Sequence, residues 1–283
     1  MLGTRVLTAL VGIPLFLLAI WAPGGWLFGL VLSLLTGVGL LEFTRAYNRA
    51  GEPPRMSPNA ALLAWGTLLP LLTWWELRSM EASAVGLERS LLIALGVGLL
   101  WELGRAWHRP TQRTAYSLGL GLFAALYVGW LMAFGVRLRM DPAPVNMGGW
   151  TVERGALVLL WLMAMLWVGD SMAYFVGRAI GHHRLAPAIS PSKSWEGAIA
   201  NFTCCLLVGL TGAGWLQLPL WKAGLIGAGV GVLGQLGDLF ESSLKRAIGI
   251  KDFGGVLPGH GGVLDRFDSF LFSAPWVWWW LER

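Results

Sequence analysis

Nine apolar runs occupy most of this chain and decide what it can fold into. They lie near residues 5–22, 25–41, 59–75, 90–104, 115–136, 155–176, 196–216, 222–240 and 268–281. Only 13% of the 283 residues are charged, whereas soluble domains carry about 25%, which leaves too few polar side chains to cover a soluble globule. A transmembrane helix needs about 20 apolar residues, and the runs lack the alternation of a membrane β-barrel. The sequence therefore predicts an all-α, polytopic integral membrane protein with about nine transmembrane helices.

The distribution of Lys and Arg indicates the orientation of these runs. The first run follows Arg5 as in a signal peptide, but no small-residue cleavage site follows it and Pro23 leads into the second run, so we expect a retained anchor. Basic residues concentrate in cytoplasmic loops, and a cytoplasmic N-terminus places about twice as many of them inside as outside. We expect that orientation, an odd number of spans and no nucleic-acid partner.

The acidic residues divide the chain into two parts. In residues 1–154 they lie mainly at helix ends and in loops. We therefore expect this part to consist of N-terminal transmembrane helices that serve in packing. These helices are also candidates for dimer contacts and for a lipid cleft. In residues 155–283 nearly all of them fall on or beside the predicted cytoplasmic side. We therefore expect 155–283 to be the catalytic transmembrane region with its cytoplasmic loops.

The first polar segment of that region, residues 167–178, contains Asp170 in or at the end of an apolar helix. A carboxylate there costs roughly 2.5–3.5 kcal/mol on insertion scales. Asp170 should therefore face a cavity, a cation or a polar partner. A simple packing hydrogen bond to a neighbouring helix is the alternative. Arg178, at the end of the segment, is a candidate contact for a substrate phosphate.

The second segment, residues 190–197, comes just before a long apolar run. Pro191 suits the first turn of a helix or a tight turn. Lys193 and Ser194, together with the free backbone N–H groups of a helix N-terminus, can bind a phosphate. Plain helix capping beside a lysine placed by the positive-inside rule is the alternative.

The third segment, residues 237–269, has two pairs of acidic residues at helical spacing. Asp238 and Glu241 share one helix face, and Asp265 and Asp268 repeat that spacing at the start of the last run. The Gly- and Pro-rich loop between the pairs carries four basic residues, Lys245, Arg246, Lys251 and Arg266. Carboxylates with nearby phosphates are typical ligands of Mg²⁺, and the basic side chains would neutralise the remaining phosphate oxygens. A loop of salt bridges is the alternative.

His260 lies between glycines in the same loop. A histidine there is either a turn residue or a group that contacts phosphate or transfers a proton.

The third segment resembles the signature of the phosphatidate cytidylyltransferases, also called CDP-diacylglycerol synthases. That signature reads S-x-hydrophobic-K-R-x4-K-D-x-small-x2-hydrophobic-P/G-x-H-G-G-hydrophobic-x-D-R-hydrophobic-D. Every fixed position matches from Ser242 to Asp268, including Lys245-Arg246, Lys251-Asp252, Gly254, His260-Gly261-Gly262 and Asp265-Arg266. The first two segments are similar to the D-S/T-x-A-Y-x-x-G-R and S-P-x-K-x-x-E-G stretches of that family. Ser192 departs from the second lysine that many relatives carry, and His182-His183 replaces a more basic pair.

The resemblance implies a reaction and roles for the residues. CTP and phosphatidic acid would give CDP-diacylglycerol and pyrophosphate, with Mg²⁺ and a possible second cation, for phospholipid biosynthesis. It implies Asp238 and Asp265 as the first metal ligands, with Asp268 and Asp170 assisting them or holding the further cation. The phosphates would be held by Lys193, Ser194, Arg178, Arg246, Lys251 and Arg266. Lys245 and His260 complete the candidate catalytic group with Asp238 and Asp265.

The family also implies a location and partners. We expect a bacterial inner membrane protein whose site faces the cytoplasm, which meets cytosolic CTP and membrane phosphatidic acid, and which forms a homodimer. Two other functions stay open. One is a CTP-dependent lipid-alcohol kinase, which would release CDP in place of pyrophosphate. The other is an ion-coupled transporter with Asp170 and Asp238 near the bilayer centre.

Overall fold

The structure, a computed structural model, describes residues 2–50, 58–79, 85–108, 114–256 and 261–282. Ten α-helices make up most of these residues: α1 Leu2–Trp21, α2 Trp26–Ala50, α3 Ala60–Arg78, α4 Val85–His108, α5 Thr114–Ala124, α6 Leu131–Arg139, α7 Arg154–Ile180, α8 Trp195–Trp215, α9 Leu220–Ala247 and α10 Leu264–Glu282. A π-helical segment, Ala125–Trp130, joins α5 and α6 into one continuous rod. Each predicted apolar run therefore corresponds to one helical rod.

Seven of these helical rods are long and apolar enough to cross a membrane. They are Pro23–Arg49, Ala60–Arg78, Arg89–Trp107, Thr114–Arg139, Arg154–Ile180, Trp195–Trp215 and Leu220–Ala247. The prediction of an all-α, polytopic integral membrane protein is confirmed. The count of nine spans stays a prediction, because α1 has a shorter apolar part, Leu10–Trp21, and α10 begins with several charged residues.

Two short antiparallel ribbons connect the helices of the second half. Strands β1 (Pro144–Met147) and β2 (Trp150–Glu153) pair through a two-residue turn. Gly148 and Gly149 both have positive φ there, as a tight hairpin turn requires. Strands β3 (Arg184–Ala186) and β4 (Ser190–Ser194) form the second ribbon, and β4 leads directly into α8.

The contacts group the chain into two units. The first unit contains residues 1–140 and 248–266, and the second contains residues 141–247 and 267–283. The loop between α9 and α10, residues 248–263, carries much of the signature and is called the signature loop below. It belongs to the first unit, although it follows α9 in sequence. The functional division expected at residue 154 stays a prediction.

Small residues allow helices of the first unit to approach closely. A side chain at Gly66 of α3 would meet the backbone of Ala125, and one at Gly129 would meet the backbone of Gly66. Close backbone approach at small residues is the usual way in which helices associate in lipid. The π-helical segment therefore packs directly against α3.

Buried polar side chains fix other helix ends in this unit. The Arg139 side chain, 2% exposed, donates from Nε to the Ile20 carbonyl at 2.6 Å and from Nη2 to the Ala22 carbonyl at 2.8 Å. These carbonyls at the end of α1 have no partner within the helix. Asn59 caps α3 by accepting the amides of Ala61 and Leu62, and it donates to Glu102 of α4 at 3.0 Å.

Glycines also bring the helices of the second unit together. A side chain at Gly169 of α7 would collide with Cys205 of α8, and one at Gly227 of α9 would collide with the Cys205 carbonyl. At Gly237 of α9, the backbone carbonyl of Asp268 in α10 occupies the place of a side chain. The close crossing at Gly237 brings the predicted acidic positions of α9 and α10 near each other.

Candidate functional site

An ion pair joins the second and third predicted segments. Lys193 Nζ on β4 lies 2.5 Å from a carboxylate oxygen of Asp238 on α9, and the two side chains are 24% and 34% exposed. Ser242, one turn further along α9, donates its hydroxyl to the other Asp238 oxygen at 3.3 Å. A substrate phosphate can therefore reach Lys193, and a cation can reach Asp238.

Asp170 and Asp268 lie near this pair in the second unit. Asp170 is exposed on α7 and accepts a hydrogen bond from the Asn201 amide of α8 at 3.1 Å. Asp268 on α10 is close enough to Asp238 and Asp170 to be repelled by both charges, and close enough to Lys245 to be attracted. Asp238, Asp170 and Asp268, three of the four predicted metal ligands, are therefore within electrostatic range of one another in the second unit.

The donor chemistry of these carboxylates suits a hard cation. Within the part of the chain that the structure describes, no group of three or more His, Cys, Asp or Glu side chains is arranged to hold a metal ion by itself. Magnesium usually takes one or two protein carboxylates, and substrate phosphates and water supply its other ligands. Oxygens from Asp238 and Asp268 fit that smaller requirement, and the repulsion between them favours a bound cation.

The basic residues of the third segment have different surroundings. Lys245 is 8% exposed and pairs with the fully buried Glu241 at 3.1 Å, so its charge is already partly balanced. Arg246 is exposed and donates from Nε to the Ile189 carbonyl at 3.2 Å. Lys251 and Arg266 are exposed in the first unit. The role of each in binding phosphate stays a prediction.

Two other predicted phosphate contacts have local partners. Arg178 is exposed at the end of α7, where its guanidinium donates to the Tyr174 hydroxyl at 2.8 Å. Ser194 is 4% exposed and caps α8, because its hydroxyl accepts the Gly197 amide at 3.2 Å. Capping, which the sequence left as an alternative at this position, is what the structure shows.

Asp265 closes the signature loop within the first unit. It lies in the first turn of α10, 8% exposed, and accepts the backbone amides of Phe253 at 3.1 Å and Gly262 at 3.0 Å. Phe253 lies in the first arm of the loop, residues 248–256, and Gly262 lies in the second arm, residues 261–263. Asp265 therefore holds the loop together, and its proposed metal contact would add to that role. His260 lies outside the described residues, so its two interpretations stay open.

Two polar residues near the predicted site were not identified from the sequence. Asn201 lies within an apolar helix and orients Asp170. In the sequence, a side-chain amide within an apolar run is only a weak sign that the amide has a polar partner. Glu42, in the C-terminal half of α2, is 2% exposed and accepts the backbone amide of Val263 at 2.7 Å. No local pattern marks Glu42, because the two residues are 221 positions apart.

Comparisons with known proteins match nearly the whole chain. The model of the Cytidylyltransferase family matches residues 3–282. A phosphatidate cytidylyltransferase from Synechocystis sp. is 33% identical over 291 residues, which cover 96% of this chain and 94% of that protein. One from Bacillus subtilis is 34% identical over 263 residues, which cover 89% and 93%. One from Staphylococcus haemolyticus is 44% identical over 127 residues, which cover 44% and 49%.

Proposed function

The chain belongs to the cytidylyltransferase family, and on that basis we propose that it is a phosphatidate cytidylyltransferase, which makes CDP-diacylglycerol and pyrophosphate from CTP and phosphatidic acid. The observation that carries this proposal is the similarity to enzymes of that name from two bacteria over most of both chains. The signature from Ser242 to Asp268 and the grouped charges of the second unit agree with it.

The reaction joins two polyanions, which defines what the protein must supply. An oxygen of the lipid phosphate forms a bond to the α-phosphorus of CTP, while the bond from that phosphorus to the bridging oxygen breaks and pyrophosphate leaves. The attacking phosphate is already anionic at neutral pH, so no general base is required. Catalysis then depends mainly on positioning and on neutralising negative charge.

Basic side chains of the predicted segments would supply both effects. Lys193, held in place by Asp238, would bind a CTP phosphate and reduce the repulsion between the reactants. Arg246 and Arg178 would contact further phosphate oxygens, as would Lys251 of the signature loop and Arg266 of α10. Arginine suits this role because its planar guanidinium can make two parallel hydrogen bonds to phosphate.

We propose Mg²⁺ as the cofactor, with Asp238 and Asp265 as its first ligands and with Asp268 and Asp170 assisting them or holding a further cation. When bound, Mg²⁺ would stabilise the negative charge that builds up on the leaving pyrophosphate. Support comes from the repulsion of Asp268 by Asp238 and Asp170 and from the preference of magnesium for oxygen ligands. Asn201, which donates to Asp170, would keep that carboxylate oriented.

We also propose a location in a bacterial inner membrane, with the site facing the cytoplasm. The excess of basic residues in the predicted inner loops and the bacterial origin of the relatives support this location. A homodimer is part of the same proposal and rests on the family resemblance. The native mass of the protein in lipid nanodiscs tests it.

The experiment uses the purified full chain in detergent with α-labelled CTP and phosphatidic acid. We expect labelled CDP-diacylglycerol and an equal amount of pyrophosphate, and no product when Mg²⁺ is chelated. Release of CDP in place of pyrophosphate, in a parallel assay with diacylglycerol as the acceptor, would show a lipid-alcohol kinase. Counterflow uptake in liposomes without CTP turnover would show a transporter, and either result would overturn the proposal.

A matched pair of variants tests the metal assignment. Asp238→Asn removes a carboxylate that we place at the cation, whereas Asp141→Asn removes one that pairs with Arg154 at 2.9 Å in the same unit. We expect Asp238→Asn to lose nearly all turnover and Asp141→Asn to keep it. Near-wild-type turnover in Asp238→Asn would contradict the assignment.

A further inference from the structure

Glu42 lies in the C-terminal half of α2, in the part of the chain whose expected role was packing. Its side chain is almost completely buried, with 2% of the residue exposed. One carboxylate oxygen accepts the amides of Val263 at 2.7 Å and Leu264 at 3.3 Å. These amides are among the N–H groups at the start of α10 that have no partner within the helix. Glu42 therefore caps α10 from a distant helix.

The same carboxylate lies between the two arms of the signature loop. A side chain at Gly254, in the first arm, would collide with one oxygen of Glu42. A side chain at Gly262, in the second arm, would lie 2.6 Å from the other oxygen. The neighbouring Phe43 packs its ring against Phe253, with ring centroids 5.7 Å apart. Glu42 and Phe43 of α2 thus contact both arms, and the small position of the signature at Gly254 is explained by Glu42.

Asp265 connects this arrangement to the proposed chemistry. Its carboxylate accepts the amides of Phe253 and Gly262, which lie in the same two arms that contact Glu42. Its backbone follows directly after Leu264, which Glu42 caps. A shift of the two arms would therefore move the Asp265 carboxylate, and Arg266 would move with it.

We infer that Glu42 is a positioning residue for the reaction: by accepting the backbone amides of Val263 and Leu264, it holds the signature loop and the start of α10 in the arrangement that places Asp265. This inference rests on the proposed function and assigns a task to a residue of the N-terminal half. Hydrogen-bond acceptance carries the effect, so a neutral acceptor of the same length should replace it.

The test compares Glu42 with Glu102, another buried carboxylate of the same unit. Glu102 is 2% exposed and accepts hydrogen bonds from Asn59 at 3.0 Å and Ser117 at 2.8 Å. The variants are Glu42→Ala, Glu42→Gln, Glu102→Ala and Glu102→Gln, all in the full chain in detergent. For each we would measure thermal stability, kcat, the KM for CTP and for phosphatidic acid, and amide hydrogen exchange of the signature loop and the start of α10.

We expect Glu42→Ala to lower kcat by about 10- to 100-fold, as is usual when a residue that orients a ligand group is removed. Exchange at Val263 and Leu264 should become faster in the same variant. Glu42→Gln should recover most of the turnover and the protection. Both Glu102 variants should lose stability but keep the kcat of the folded wild-type enzyme and its slow exchange at Val263.

Three results with the Ala and Gln variants would overturn the inference. One is an unchanged kcat in folded Glu42→Ala, another is equal loss in Glu42→Ala and Glu102→Ala, and the third is a Glu42→Gln variant as impaired as Glu42→Ala. If Glu42→Ala does not fold, Glu42→Asp replaces it, because it keeps the charge but withdraws the acceptor by one methylene. Wild-type kcat and exchange in Glu42→Asp would likewise overturn the inference.

Failure of the proposed function would look different from these results. In that case the wild-type chain would form no CDP-diacylglycerol, yet the exchange comparison would still report whether Glu42 holds the loop.

Discussion

Lys193 on β4 and Asp238 on α9 form an ion pair with 2.5 Å between Nζ and a carboxylate oxygen. The two residues are 45 positions apart, and they join two segments that the sequence analysis treated separately. Both side chains are partly exposed, so the pair contributes about 1 kcal/mol or less to stability. Its importance lies in fixing a positive and a negative group side by side where two anionic substrates and a cation would meet.

A double-mutant cycle tests this pair. We expect Lys193→Met to raise the KM for CTP and Asp238→Asn to abolish most turnover. The loss of kcat/KM in the double variant should be smaller than the product of the losses in the two single variants, because each single change already breaks the shared contact. Steady-state kinetics of the four proteins measure this coupling.

The Arg154–Asp141 pair is a suitable control for that cycle. It lies in the same unit, its N–O distance is 2.9 Å, and its side chains are 23% and 29% exposed. Arg154→Met and Asp141→Asn should leave the kinetics unchanged. If the loss of kcat/KM in the double variant equals the product of the losses in Lys193→Met and Asp238→Asn, the observed ion pair has no part in turnover.

Asp265→Asn separates two tasks of this side chain. Asparagine keeps one oxygen that can accept the amides of Phe253 and Gly262, but it removes the charge. If Asp265 also holds the cation, the Mg²⁺ concentration for half-maximal activity should rise by about tenfold or more. Magnesium titrations of the wild type, Asp265→Asn and Asp141→Asn measure this change.

An unchanged magnesium dependence in Asp265→Asn would show that Asp265 only closes the loop. In Asp265→Ala both tasks are lost, so we expect faster amide exchange in the signature loop in addition to the loss of turnover.

Gly237→Ala tests the close crossing of α9 and α10. The added methyl group would meet the backbone carbonyl of Asp268, so the helices must separate, at a cost of about 1–3 kcal/mol. We expect a lower melting temperature in detergent and reduced turnover, because Asp268 would move away from Asp238.

Gly214→Ala on α8 is the control for this substitution. A methyl group at Gly214 meets nothing within 4 Å, and alanine is the better helix former by about 1 kcal/mol. Its melting temperature should stay the same or rise. A Gly237→Ala variant that behaves in the same way would contradict the tight crossing.

Arg139→Ala should destabilise the first unit without a direct effect on chemistry. It removes the donors that Ile20 and Ala22 accept in a buried environment, and hydrogen bonds to a charged group contribute about 1.5–3 kcal/mol each. We expect a lower melting temperature and an unchanged kcat for the folded fraction.

The neighbouring Arg137 provides the comparison for Arg139. Its guanidinium lies over the Phe134 ring at 5.7 Å, a weaker contact that contributes about 0.5–1 kcal/mol at exposed sites. Arg137→Ala should therefore lower the melting temperature less than Arg139→Ala. An equal effect of the two would show that the α1 carbonyls do not depend on Arg139.

The helical architecture could be predicted from hydropathy, because every apolar run became a helical rod. The boundaries were less predictable. The run at 25–41 continues as helix to Ala50, since a helix need not end where the apolar residues end. The π-helical segment at Ala125–Trp130 has no sequence pattern of its own and depends on packing against Gly66.

The candidate site could be predicted where its residues share a local pattern. The spacing of Asp238 and Asp268 within their segments indicated the acidic group, and Lys193 was found because it precedes a helix start. Glu42 and Asn201 could not be found in this way. Each acts through a partner far along the chain, and a single sequence contains no record of such a contact.

The distance in sequence between Glu42 and the amides that it accepts has a consequence for biosynthesis. When α2 enters the bilayer, the residues that will satisfy this carboxylate are still 221 positions from being made. An isolated carboxylate is costly in lipid, so the newly inserted helix has to keep that group protonated or at the aqueous boundary until the last helix arrives. The amides of Val263 and Leu264 reach Glu42 only with the start of α10, so α2 depends on a helix made much later to satisfy its buried carboxyl group.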